Sequence, residues 1–328
     1  MMDIKSSDVL GEPKLDAPSL AIVERLEANP FLDPVSMSPT EMRVAFDTYY
    51  ATVDMAPSPA QVQDVIFQSR NGPTSARLYR PEGAAPGPLP VALFFRGGGL
   101  VMGSLRSYDT IARRLCASSG SLVVAVDYRQ PPEHKYPAAL DDCHDSLRWI
   151  RASAEEYGGD SRRVAVAGDS GGGMLAVVVT HRVRDAAEPA LAAQVLIYPA
   201  VGARERTRSM DEFASGYVFS PDQLDWLYAQ YLDDPADRWT AAVSPALRED
   251  LSGLPPAYVV TAHFDIFRDE GECYASRLRD FGVPAEVVRY RNVIHGFINM
   301  GGPVTTAGVA LDGCGRFLAG ALSTPEPT

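Results

Sequence analysis

From about residue 61 onward, short runs rich in β-branched and aromatic residues alternate with longer stretches whose apolar residues recur at helical spacing. VQDVIFQS, TSARLYR, VALFF, SLVVAVD, VAVAG, AAQVLIY, AYVVTA and AEVVRY predict strands. SYDTIARRLCASS, AALDDCHDSLRWIRASAEEY, GGGMLAVVVTHRVRDA and RDEGECYASRLRDF predict helices between them. This alternation predicts an α/β fold with a mostly parallel central sheet flanked by helices on both faces.

Two segments break the pattern. Residues 1–60 read as helical: SLAIVERLEANPF has apolar residues at helical spacing, and SPTEMRVAFDTYYATV opens with Ser before Pro and Glu, which suits a helix N-terminus. Residues 204–240 contain no strand but carry Phe213, Tyr217, Phe219, Trp226, Tyr228, Tyr231 and Trp239. The expected organisation is an N-terminal helical cap segment at 1–60, the α/β domain in two parts at 61–203 and 241–328, and a cap insertion at 204–240. Most of the insertion's rings are expected to pack it onto the body, while some line an entrance, since ligand clefts form where a cap meets a core. PEGAAPGPLP reads as a surface turn.

Composition narrows the function classes. The chain has 328 residues, 46% of them hydrophobic and 22% charged, as in an ordinary globular protein long enough to bury a large core. A net charge of −12 argues against nucleic-acid binding, which needs a basic face. The run Arg204, Arg206, Arg208 is interrupted by Glu205 and reads as a solvated loop. Cys116, Cys143, Cys273 and Cys314 are widely spaced, form no C-x-x-C pair and read as reduced core thiols. The polar opening MMDIKSSDVLGEPKLD lacks the apolar core of a secretory signal, and no window approaches a membrane span, so a cytoplasmic location is expected.

The strongest chemical signal is Gly168-Asp169-Ser170-Gly171-Gly172, a G-x-S-x-G between a predicted strand and a predicted helix. A serine on that sharp turn is pushed toward solvent, and the N–H of Gly171 points where an oxyanion would form. A serine hydroxyl needs a base. His134, His144 and His181 come too early for the chain order Ser, acid, His, which leaves His263 and His295. His295, in a loop after the last strand pattern, is preferred, with His263 as a structural histidine nearby. Of Asp265, Asp269 and Glu270, Asp265 is first off its strand. Asp269 and Glu270 open the next helix, where carboxylates suit the dipole. Arg96-Gly97-Gly98-Gly99-Leu100 follows VALFF, so Gly97 and Gly98 are expected to join Gly171 as an oxyanion hole. Phosphate binding is not indicated, because the Lys and Ser/Thr of a P-loop are absent.

These motifs resemble the hormone-sensitive-lipase-like branch of the α/β-hydrolases. The resemblance spans about residues 75 to 300: RGGGLVMGS for the family's H-G-G-G stretch, DYRQPPEHKYPAALDD for Y-R-x-x-P-E-x-x-Y-P-A-A, GDSGGG for G-D-S-A-G-G, DIFRDEG for D-P-L-R-D-E-G, and IHGF. It implies an α/β-hydrolase fold with a helical cap, hydrolysis of esters with small or medium acyl chains, no cofactor, and frequently a homodimer. The reading is a serine carboxylesterase acting on a small-molecule ester, with Ser170, Asp265 and His295 catalytic and no metal. Arg96, Leu100, Asp169, Tyr198, Phe213, Tyr217 and Phe297 are the expected substrate contacts. Arg96 replaces the family's His, and either braces the glycine loop or favours substrates bearing a carboxylate. The rival readings are an amidase or lactonase with the same triad and, from another class, a ligand-binding protein on a retired hydrolase scaffold, as in the plant gibberellin receptors.

Overall fold

The computed structural model describes residues 12–28, 37–84, 86–202 and 206–323. In chain order the elements are α1 (Ala17–Ala28), α2 (Pro39–Val53), β1 (Ala60–Ser69), β2 (Gly72–Pro81), β3 (Leu89–Phe95), α3 (Asp109–Ser119), β4 (Leu122–Asp127), α4 (Ala138–Ser153), β5 (Gly159–Asp169) and α5 (Ser170–Asp185). Then follow β6 (Gln194–Ile197), α6 (Arg208–Glu212), α7 (Pro221–Tyr231), β7 (Ala257–Phe264), α8 (Arg268–Asp280), β8 (Ala285–Ile294) and α9 (Thr306–Ser323). The tail of SLAIVERLEANPF beyond Ala28, the first eleven residues, and Arg204 and Glu205 of the arginine run lie outside the described residues.

The eight strands form one sheet in the order β1-β2-β4-β3-β5-β6-β7-β8. β1 pairs antiparallel with β2, and β2 antiparallel with β4; every later neighbour is parallel. The inner strands are apolar on both faces, as helices above and below a sheet require. Along β3, Val91, Leu93 and Phe95 face one core while Ala92 and Phe94 face the other, the two-residue period of a pleated strand. The first face is covered by α4, α5 and α8, the second by α3 and α9.

α2 starts where the sequence suggests. Ser38 accepts the N–H of Glu41, and the Glu41 carboxylate accepts the N–H of Ser38, a reciprocal cap that satisfies two orphan donors. α9 was not expected. Its sequence TAGVALDGCGRFLAGALS contains four glycines, which weaken helix propensity, yet Ala307, Ala310, Leu311, Cys314, Leu318 and Leu322 are buried at helical spacing. Of the cysteines, Cys116, Cys143 and Cys314 are buried free thiols, whereas Cys273 is exposed on α8, a departure from the expected core set. Among the described residues no helix is long and apolar enough to cross a membrane.

Candidate active site

Parallel neighbours end at the same edge of a sheet, and three of these strands end one residue before a reactive side chain: Ser170 after β5, Asp265 after β7 and His295 after β8. Ligands in open α/β sheets bind at this carboxyl edge. His295 Nε2 lies 3.0 Å from Ser170 Oγ, and His295 Nδ1 lies 2.8 Å from Asp265 Oδ2. The second oxygen of Asp265 accepts the N–H of Phe267 at 2.9 Å, which fixes the carboxylate's orientation. All three residues are buried, so little water competes for these bonds.

Local backbone explains why the serine is presented. Ser170 has φ +53°, in the left-handed region that non-glycine residues rarely adopt, and it begins α5, whose positive end lies beneath it. The turn closes only because Gly172 lacks a side chain: a Cβ there would collide with the backbone oxygens of Phe95 and Arg96. The strand-turn-helix and the glycine loop after β3 are thus packed backbone to backbone.

The glycine loop departs from expectation at one position. The N–H of Gly97 donates to Asp169 Oδ1 at 2.7 Å, so it is committed to a carboxylate and is not a free donor beside Ser170. Gly98 and Gly99, with φ +85° and +60°, line the cleft instead. The loop's carbonyls are also tied down. Arg96 donates from Nη1 to the oxygen of Met102 at 2.8 Å, and Gln130 donates to the same oxygen at 2.9 Å. The Arg96 guanidinium packs 4.4 Å from the centre of the Tyr128 ring and pairs with Asp127 at 3.5 Å.

Two clefts meet at Ser170. The larger, about 650 Å³ with its open mouth, is lined by Met42, Phe46 and Tyr50 of α2, by Gly98, Gly99, Met102, Tyr108, Asp169 and Tyr198, by Val218, Phe219, Gln223, Trp226 and Leu227, and by His295, Gly296 and Asn299. The smaller, about 420 Å³, runs between Leu100, Gly171, Met174, Ala200, Leu224, Tyr228, Tyr231 and Phe267. Leu100, Asp169 and Tyr198 therefore stand where substrate contacts were expected. Arg96, Phe213, Tyr217 and Phe297 line neither cleft. Arg96 is buried behind the loop, Phe213 packs edge-on against Tyr217 and Phe264 while Tyr217 stacks on Phe264, and Phe297 is core packed against Tyr198 and Tyr290. Within the insertion it is Phe219, Trp226, Tyr228 and Tyr231 that reach the clefts, while Trp239 is exposed. The contribution of α2 was missed. Its only sequence signal is the stripe Met42, Phe46, Tyr50, which equally well describes a core-facing helix.

The remaining titratable groups have distinct positions. Burial pushes the carboxyl of Asp169 up to about 7, although it accepts from Gly97 and from the Tyr108 hydroxyl at 3.3 Å. Glu270 lies in the first turn of α8, as expected of a carboxylate that opens a helix. It is buried, accepts the N–H of Gly202 at 3.2 Å, and desolvation raises its carboxyl to about 8. Asp269 accepts from Arg268 and from the N–H of Ser209, anchoring α6. His263 packs against Phe264 and Phe213 outside both clefts, and burial lowers it to about 4, consistent with a neutral packed ring.

A family profile described as alpha/beta hydrolase fold matches residues 92–299. The carboxylic ester hydrolase LipN of Mycobacterium tuberculosis is 39% identical over 259 residues, covering 76% of this chain and 68% of the relative. The ethyl acetate hydrolase of Pseudomonas putida is 38% identical over 257 residues, covering 77% and 80%. Among solved structures, an ester-hydrolase from the metagenome of Lake Arreo, complexed with a derivative of bipyridine phosphonate, superposes with TM-score 0.91 at 34% identity, covering 94% of this chain and 100% of that one. A site at the carboxyl edge of this sheet, a profile spanning most of the chain and esterase relatives matched over most of their length agree: the chain belongs to the hormone-sensitive-lipase-like family of α/β-hydrolases.

Proposed function

We propose that the protein is a serine carboxylesterase that cleaves small to medium acyl esters through an acyl-enzyme on Ser170. The observation that carries this reading is the hydrogen-bonded line Ser170–His295–Asp265 where two largely apolar clefts meet. Ser170 Oγ attacks the ester carbonyl while His295 Nε2 takes its proton. Asp265 holds the imidazole through Nδ1 and stabilises the imidazolium. Gly98, Gly99 and Gly171 receive the oxyanion, with Gly97 excluded because its N–H is occupied. His295 then returns its proton to the departing alkoxide, and a water activated by the same histidine releases the acid.

The leaving alcohol must depart beside His295. Since His295 lines the larger cleft and not the smaller, the alcohol half belongs in the larger and the acyl half in the smaller. The modest volume of the smaller cleft, about 420 Å³, supports a short to medium acyl chain. In this reading residues 1–60 and 204–240 together form the cap, since both contribute cleft walls. The relatives named for ester hydrolysis favour esters over amides or lactones. A cytoplasmic homodimer completes the reading, to be checked by light scattering and cell fractionation.

The test is hydrolysis of a p-nitrophenyl ester series from acetate to long chains, by the protein and by Ser170→Ala in parallel. Activity that peaks at short or medium chains and falls at least about a thousand-fold in Ser170→Ala is expected. Activity that survives in Ser170→Ala would overturn the assignment.

A further inference from the structure

The larger cleft is mostly apolar, yet its wall on the His295 side holds polar atoms that the fold does not satisfy. Asn299 is 3% exposed, and among the described residues neither its Oδ1 nor its Nδ2 has a hydrogen-bond partner. The hydroxyl of Tyr198, fully buried, likewise has none. Both residues line this cleft. Buried amide and hydroxyl groups are nearly always paired, and leaving one unpaired costs the full desolvation of that group.

The backbone adds an independent sign. Tyr198 has φ +35°, one of only four positive-φ non-glycine residues among those described, another being Ser170 itself. Strain of this kind persists where the surroundings impose it and clusters at functional sites. Here it turns the Tyr198 ring to within 4.6 Å of the His295 ring, centre to centre. Asn299 stands four residues after His295, in the helical turn Phe297–Met300 that follows the histidine loop.

The chemistry of these groups selects a ligand. Asn299 offers two N–H donors and an acceptor oxygen, and the Tyr198 hydroxyl can serve as either donor or acceptor. An ester, ketone or ether oxygen would leave Asn299 Oδ1 unsatisfied, whereas a hydroxyl can give and receive. No Lys or Arg lines this cleft among the described residues, so a carboxylate or phosphate would meet no cation there except a protonated His295.

We propose that Asn299 and Tyr198 form a hydroxyl-recognising subsite for the alcohol half of the substrate, so that the preferred esters are monoesters of diols or polyols rather than of simple alkanols. This rests on the esterase reading and on the assignment of the larger cleft to the leaving group. A substrate hydroxyl satisfies groups that an all-carbon chain would strand, and such sites discriminate strongly against analogues lacking the hydroxyl.

The experiment uses isosteric pairs in which a terminal methyl is replaced by hydroxyl: n-propyl against 2-hydroxyethyl butyrate, n-butyl against 3-hydroxypropyl butyrate, and n-pentyl against 4-hydroxybutyl butyrate. The readout is the ratio of kcat/KM, hydroxyl over methyl, within each pair. The full-length protein is expected to show a ratio above one for at least one pair, and Asn299→Leu to lower that ratio about ten-fold. Tyr198→Phe, which removes a single atom, is expected to lower it as well and serves alone if Asn299→Leu does not fold by circular dichroism. A ratio below one at every chain length, or a ratio unmoved in the folded variants, overturns the proposal. If no alkyl butyrate is cleaved, or cleavage survives Ser170→Ala, the esterase reading itself has failed. Cleavage of the alkyl esters with no hydroxyl preference removes the subsite alone.

Discussion

Arg43 of α2 donates from Nε to the backbone oxygen of Val101 at 2.8 Å, joining the N-terminal helical segment to the loop that carries Gly98 and Gly99. The same guanidinium donates from Nη2 to the oxygen of Pro131 at 2.7 Å, and its outer face pairs with Glu133. Nearby, the Ser104 hydroxyl donates to Asp47 of the same helix at 2.8 Å. Helix α2 is therefore fastened to the loop whose Gly98 and Gly99 line the clefts.

Removing that fastening should act on turnover more than on binding. Arg43→Gln is expected to lower kcat on p-nitrophenyl butyrate roughly ten-fold with a smaller change in KM, because small displacements of a reacting frame are costly. Glu133 is half exposed, and exposed ion pairs contribute little, so Glu133→Gln should stay close to the parent. Equal losses in the two variants would mean that the ion pair, and not the carbonyl contacts, holds the loop.

Arg96 is placed as a brace behind the glycine loop and lines neither cleft. Its guanidinium is buried against Tyr128 and spends a donor on the oxygen of Met102. Arg96→His shortens that reach and should cost about 1–3 kcal/mol of stability in chemical denaturation. The ratio of rates on a neutral ester and its carboxylate-bearing analogue should stay within about two-fold. A ten-fold change in that ratio would return the guanidinium to the substrate.

Glu270 sets a pH dependence of stability. Its carboxyl lies near 4.5 when solvated and is raised to about 8 by burial, so the folded chain holds a proton there that the unfolded chain has lost. Its contribution is fully present below pH 4.5 and is lost as pH rises through about 8, since stability falls wherever the folded state binds more protons. Glu270→Gln keeps an oxygen for the N–H of Gly202 but cannot ionise. The variant should therefore gain on the parent by at least about 1 kcal/mol between pH 5 and pH 9 in urea denaturation. Parallel curves would show that the buried carboxyl does not titrate across this range.

Much of the architecture was legible because it rests on local patterns. Each predicted strand and helix within the described residues is present, and Ser38 capping α2 follows directly from the order Ser, Pro, Thr, Glu. What the pattern hid depends on distant partners. α9 was obscured by its glycines, and Gly315 shows why one of them is there: a Cβ would run into Ser118 of α3, so the two helices approach only because it is absent. Gly97 and Gly98 looked equivalent in the sequence, yet a carboxylate 72 residues away takes the N–H of one. Phe213 and Phe219 are both aromatic insertion residues, and only the direction in which the chain turns between them decides that Phe219 meets the cleft while Phe213 packs on Phe264. Periodicity identifies a helix face that is apolar. It does not say whether that face meets protein or substrate.

The three side chains that meet at the carboxyl edge are brought in by separate strands, with Ser170 and His295 125 positions apart in the chain and His295 and Asp265 30 apart. β8, which immediately precedes the histidine, is the last strand in the chain and an edge strand whose one strand neighbour among the described residues is β7. Contacts of such long separation bear a high loop-closure cost and form late. Ester hydrolysis should thus report completed folding, returning after helical content as the chain refolds.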